Sequence, residues 1–119
     1  NEIGLDSNTI VVGHSTGASA VMRLLENDNV EKLRGAIMVA AAYTDMGEPA
    51  EAFSEYFNRP WNWKKMQSGA EKICCFHGVD DFLIPVQEAR YISSKLEEGG
   101  NYQYFEMQDK AHFFGPFGE

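Results

Sequence analysis

Cysteine is scarce in this chain: Cys74 and Cys75 are its only two, and they are neighbours. Consecutive strand residues point to opposite faces, so the pair cannot staple the fold to anything else. Both are expected as reduced, mostly buried thiols of a cytoplasmic or nuclear protein, with no redox or metal role. Basic residues are also few, ten Lys and Arg against eighteen Asp and Glu, for a formal charge of −8. That charge repels phosphate backbones and anionic lipid surfaces, which argues against nucleic acid or a membrane as a partner. No apolar run reaches the roughly 18 residues of a membrane span, and no charged-then-apolar leader opens the chain. The first residue is Asn1 rather than Met, so a native start is expected upstream. Internal repeats and low-complexity segments are missing too.

What is present fits one globular unit. A chain of 119 residues, 44% apolar and 24% charged, has the composition of a single soluble domain spanning residues 1–119. Residues 9–13 (TIVVG) form a β-rich apolar run ending in glycine, and Ala18, Val21, Met22 and Leu25 then recur at helical spacing. Asn27, Asp28 and Asn29 stop that helix. Residues 35–42 (GAIMVAAA) are apolar without alternation, the pattern of a strand buried on both faces, and predict a parallel sheet covered by helices. Residues 43–69 interrupt the pattern with Gly47, Pro49 and Pro60 and a dense aromatic stretch, an excursion with short helices. A third strand is predicted at residues 72–77 (KICCFH). A helix follows with Val86, Ala89, Ile92 and Leu96 on one face, ended by Gly99 and Gly100, and a fourth strand covers residues 102–107. Strands and helices alternating at this spacing give an α/β class with right-handed crossovers.

One constellation carries chemistry. Gly13-His14-Ser15-Thr16-Gly17 fits the G-x-S-x-G nucleophile elbow, lying where a strand ends and a helix begins. The serine at its apex takes a strained backbone conformation, and glycines two residues to either side let strand and helix backbones approach each other. Thr16 offers its backbone N–H, at the helix start, to a developing oxyanion. In such a fold the triad partners follow in the order serine, acid, histidine, each on a loop after a strand. Asp80 and Asp81 lie directly after the third strand and His112 just beyond the fourth. Asp81 stands three residues after Gly78 and four before Pro85, the G-x-x-D-x-x-x-P spacing that marks it as the acid. Asp80 is then expected to face solvent or to brace the turn through a local hydrogen bond. His14 and His77 read as structural.

The sequence resembles the retinoblastoma-binding protein 9-like serine hydrolases, a compact group within the α/β-hydrolase fold. The resemblance covers nearly the whole chain. It rests on the elbow GHSTGA, on Ala42-Tyr43-Thr44, on residues 56–63 (YFNRPWNW), on residues 80–85 (DDFLIP), and on His112-Phe113. Carried over, it puts the nucleophile on Ser15, the acid on Asp81 and the base on His112. It also implies a three-layer, mostly parallel sheet. An opening strand, a glycine-rich loop giving the second oxyanion donor, and a first helix would precede residue 1, and a final helix would follow Glu119. The chain is therefore expected to be truncated at both ends. The partner that names the group recognises L-x-C-x-E, whereas Ile3-Gly4-Leu5-Asp6-Ser7 has neither the cysteine nor the glutamate. The resemblance does not carry retinoblastoma-protein binding to this chain.

The expectation is a serine hydrolase that cleaves a small ester or peptide-like amide through an acyl-enzyme, with no metal and no organic cofactor. Tyr56, Phe57, Trp61 and Trp63 are candidates to line the substrate pocket, with a small aromatic core under the excursion as the alternative. Two rival functions remain: a protein-binding module that keeps the hydrolase fold, and a thioesterase or lyase that reuses the elbow and histidine. A dehalogenase-type mechanism would need a carboxylate where Ser15 stands.

Overall fold

The computed structural model describes residues 5–46 and 55–108. Four strands, β1 (Ile10–His14), β2 (Leu33–Val39), β3 (Ala70–Gly78) and β4 (Tyr102–Met107), form one sheet in the order β1-β2-β3-β4, every pair parallel. The connections carry α1 (Thr16–Leu25), α2 (Trp63–Gln67) and α3 (Val86–Leu96), with single 3-10 turns at Glu55–Phe57 and Glu97–Gly99.

The helices form where the apolar spacing predicts them. Ala18, Val21, Met22 and Leu25 are the buried stripe of α1, and Val86, Ala89, Ile92 and Leu96 that of α3. They close on Leu33, Ala36 and Met38 of β2 and on Ile73 and Cys75 of β3, with Met66 of α2 filling the gap between the two longer helices. Gly100, at φ 78°, ends the turn after α3 in the left-handed conformation that glycine adopts without cost.

Two details depart from the sequence reading. The second strand ends at Val39, because Ala40 takes φ 55° and turns the chain out of the sheet, although Ala40, Ala41 and Ala42 stay buried. Among the described residues, helices cover one face of this strand only. Right-handed crossovers that always step to the next strand in one direction place every helix on the same face. The opposite face carries Val12, Ile37 and Cys74 in one row and His14, Val39, Phe76 and Phe105 in the next. Val12 is 66% exposed there, Ile37 and Val39 are only half-buried, and Phe76 stacks on Phe105 with ring centroids 4.8 Å apart. The cysteines divide between the faces as strand geometry requires: Cys75 is buried under the helices and Cys74 half-buried on the other side. Desolvation pushes the Cys75 thiol up to about 12.

Candidate active site

A strand that must become a helix within one residue needs a backbone angle that neither element supplies. Ser15 provides it, with φ 59° and ψ −119°, between the last residue of β1 and the first of α1. This region costs a residue with a side chain of the order of 1–3 kcal/mol, and it persists only where its surroundings impose it. Here both neighbouring elements do so. The Ser15 N–H donates to the Val39 carbonyl at 2.8 Å, extending the β1–β2 ladder, and the Ser15 carbonyl accepts from Ala18 and Ser19 N–H at 2.9 and 3.3 Å, starting α1. The result is a half-exposed serine at the apex, with Thr16 exposed beside it. An N–H at the first position of a helix is directed out of its N-terminus, where a developing anion is favoured.

The two glycines of the motif are not equivalent. A Cβ on Gly13 would lie 2.3 Å from the Gly17 carbonyl oxygen and 2.8 Å from the Ala18 nitrogen, so no side chain fits. A Cβ on Gly17 would meet nothing within 4 Å, because that position faces outward from the helix start. Close strand–helix approach therefore explains Gly13 but not Gly17. His14, between them in the motif, is exposed and belongs to the sheet face that carries no helix.

The acid turn leaves β3 at the same edge of the sheet, since Val39 pairs with both His14 and Phe76, and Gly78 pairs with Met107. The adjacent carboxylates point in different directions: Asp80 is exposed, and the Asp81 side chain is wholly buried. One Asp81 oxygen, Oδ1, accepts from the N–H groups of Leu83 and Ile84, both at 2.8 Å. Asp80 thus lies at the surface, one of the two alternatives expected of it, while this bracing pair is made by Asp81. The other oxygen, Oδ2, lies 3.7 Å from His77 Nε2. His77 is fully buried on the helix side of β3, its Nε2 2.9 Å from the Ile84 carbonyl. The fourth strand delivers the chain to this edge at Met107. His112, like residues 109–119 as a whole, lies outside the described residues, as does Ile3 of the segment compared with L-x-C-x-E.

The aromatic excursion is held by residues the sequence did not single out. Arg23 of α1, nearly buried, donates to the carbonyls of Tyr56 (2.9 Å), Arg59 (2.6 Å) and Pro60 (3.0 Å) and lies 3.6 Å over the Trp61 ring. Glu26 pairs with Arg23 and accepts from Asn62 N–H. Trp61 Nε1 donates to the Tyr43 carbonyl at 2.7 Å, and Tyr43 stacks on Tyr91 of α3 at 4.2 Å, with Trp63 edge-on to both. Phe57 meets Trp61 edge-on. Tyr56, Phe57, Trp61 and Trp63 are each half-buried. Glu88 of α3 accepts from Tyr43 N–H, Thr44 N–H and Thr44 Oγ1, fixing the loop after β2, while Ser19 Oγ donates to the Ala42 carbonyl. Among the described residues no group of three or more His, Cys, Asp and Glu could hold a metal ion, and no helix is long and apolar enough to cross a membrane.

Comparison with known proteins gives the family and the fold. The family model described as serine hydrolase matches residues 4–113. The chain is 35% identical to the serine hydrolase RBBP9 of Rattus norvegicus over 112 residues, which are 94% of this chain and 56% of that protein. The structure of the ydeN gene product of B. subtilis superposes with a TM-score of 0.79 at 23% identity, covering 94% of this chain and 58% of that one. Esterase PE8 gives a TM-score of 0.64 at 21% identity, with 98% and 48% covered. These structural likenesses share the α/β-hydrolase fold, and the chain spans about half the length of the relatives it matches.

Proposed function

Since the chain belongs to the serine hydrolase family, we propose that Ser15, His112 and Asp81 form the triad of an enzyme that cleaves a small ester or peptide-like amide through an acyl-enzyme. The observation that carries this reading is the conformation of Ser15, a strained, half-exposed serine fixed between strand and helix. A structural serine has no use for that strain, whereas a nucleophile needs its hydroxyl lifted clear of both elements.

In this mechanism Ser15 Oγ attacks the substrate carbonyl carbon while His112 takes its proton. The carbonyl oxygen becomes an oxyanion, shared between Thr16 N–H and a second donor. Collapse expels the alcohol or amine, which takes the proton from His112 and leaves the acyl group on Ser15. Water, deprotonated by His112, then releases the acid and restores the serine. Asp81 holds the imidazole in the tautomer that each transfer needs. Its inward orientation, opposite to that of Asp80, supports its choice as the acid. Tyr56, Phe57, Trp61 and Trp63, each half-buried, line the acyl or leaving-group pocket in this proposal.

Steady-state hydrolysis of a panel of p-nitrophenyl esters and peptide p-nitroanilides by the full-length protein tests it. Turnover of at least one member, abolished by Ser15→Ala, is expected. A protein inert on the whole panel would favour the binding-module alternative, and one for which Ser15→Ala retains turnover would remove the nucleophile assignment.

A further inference from the structure

The buried histidine at the end of β3 has an arrangement that core packing does not explain. His77 has no solvent exposure, and its Nε2 lies 2.9 Å from the Ile84 carbonyl. A carbonyl oxygen only accepts, so Nε2 carries the hydrogen and donates it. In the neutral ring Nδ1 is then an acceptor, and among the described residues it has no partner, although it is buried. An apolar side chain in this place would avoid leaving a buried ring nitrogen unsatisfied. What the imidazole adds is a grip on the acid turn. Ile84 is held at both ends of its backbone: its N–H donates to Asp81 Oδ1 at 2.8 Å, and its carbonyl accepts from His77 at 2.9 Å. Leu83 N–H binds the same Asp81 oxygen. The carboxylate is thus fixed through the turn it braces, and Nε2 also stands 3.7 Å from Oδ2, the oxygen not engaged by that pair of N–H groups.

We infer that His77 is a positioning residue for the reaction: as the neutral Nε2–H tautomer it locks the residue 81–84 turn, and with it the direction in which Asp81 presents Oδ2. This inference rests on the proposed role of Asp81 as triad acid. Losing the clamp lets the turn rotate, and misplacement of a catalytic group by about 1 Å can cost a hundredfold in rate. The loss falls on turnover rather than on substrate binding.

The test uses p-nitrophenyl acetate hydrolysis by the full-length protein and its His77→Asn, His77→Gln and Asp81→Asn variants, together with long-range 15N correlation spectra of the wild type. Glutamine puts an amide N–H near the position of Nε2, whereas the shorter asparagine reaches only that of Nδ1. His77→Asn should lower kcat roughly tenfold to a hundredfold with KM changed less than about threefold, and His77→Gln should recover most of the loss. In the Asp81→Asn background, His77→Asn should cost less than about twofold more, because residues acting through one another are not additive. The spectra should show the His77 ring protonated at Nε2. Equal losses for asparagine and glutamine, the same cost in both backgrounds, or a proton on Nδ1 would overturn the inference. If His77→Asn does not fold, the glutamine variant and the wild-type spectra still decide it. Full activity in Asp81→Asn would remove the acid assignment and this inference together. Collapse in Asp81→Asn beside an unaffected His77→Asn would remove this inference alone.

Discussion

A side-chain carbon on Gly13 would stand 2.3 Å from the carbonyl oxygen of Gly17, whereas one on Gly17 would touch nothing. The strand and the helix of the elbow therefore meet at a single residue. Gly13→Ala should destabilise the protein by about 3 kcal/mol or more, since the clash is with backbone and cannot be relieved by a rotamer change. Gly17→Ala should stay within about 1 kcal/mol of wild type. Urea unfolding monitored by tryptophan fluorescence gives both values, and equal costs would refute this account of the elbow.

The paired carboxylates after β3 give a second contrast. In the proposed triad, Asp81→Asn keeps the size of the side chain but would favour the wrong imidazole tautomer, a change that costs about four decades of turnover in the trypsin-like template. Asp80→Asn, at an exposed position, should cost less than about tenfold. Ester hydrolysis by the two variants ranks them, and the reverse order would move the acid to Asp80.

Arg23 makes the strongest structural prediction outside the site. Its guanidinium serves three carbonyls and covers Trp61, a planar fork that lysine cannot reproduce. Arg23→Lys should lower stability by roughly 2–3 kcal/mol through carbonyls left without donors. A variant with unchanged unfolding midpoint would show that the excursion is held by other contacts.

Burial sets an alkaline limit. The Cys75 thiol is pushed up to about 12 in the folded chain, and the Tyr102 hydroxyl is raised as well, both chiefly by desolvation. An acid whose folded value is raised stays protonated in the native state while the unfolded chain ionises, so stability falls as pH rises. For Cys75 the decline begins near its unfolded value of about 8.5 and continues toward 12. Unfolding midpoints measured from pH 7 to 11 should fall across this range, and Cys75→Ala should flatten the slope. A slope unchanged in that variant would contradict the assignment.

How much of this was legible in the sequence depends on how local each signal is. The elbow is legible because five consecutive residues encode a backbone path, and the buried stripes of α1 and α3 because helical spacing repeats within a few turns. The end of β2 was not, since nothing in Gly35–Ala42 marks Ala40 as the residue with φ 55°. Which cover each face of β2 meets is not encoded in its unbroken apolar run: among the described residues Ile37 and Val39 are half-buried, on the side away from the helices. The roles of Arg23 and Glu88 are not legible because the loop backbone groups they bind are 33 to 45 residues away, and a charged residue inside an amphipathic helix looks like any solvated one. His77 was legible as structural, but its bond to Ile84 depends on the turn between them.

The central claim, that Ser15 is the nucleophile, is tested most directly by peptide mapping of the full-length protein after reaction with a fluorophosphonate. Among the described residues, Ser15 is the serine that combines the half-exposed apex of an elbow with a proposed imidazole base. The account predicts one adduct, on the peptide containing Ser15, and none in Ser15→Ala. An adduct on another residue, or labelling of Ser15→Ala at a comparable rate, would contradict it.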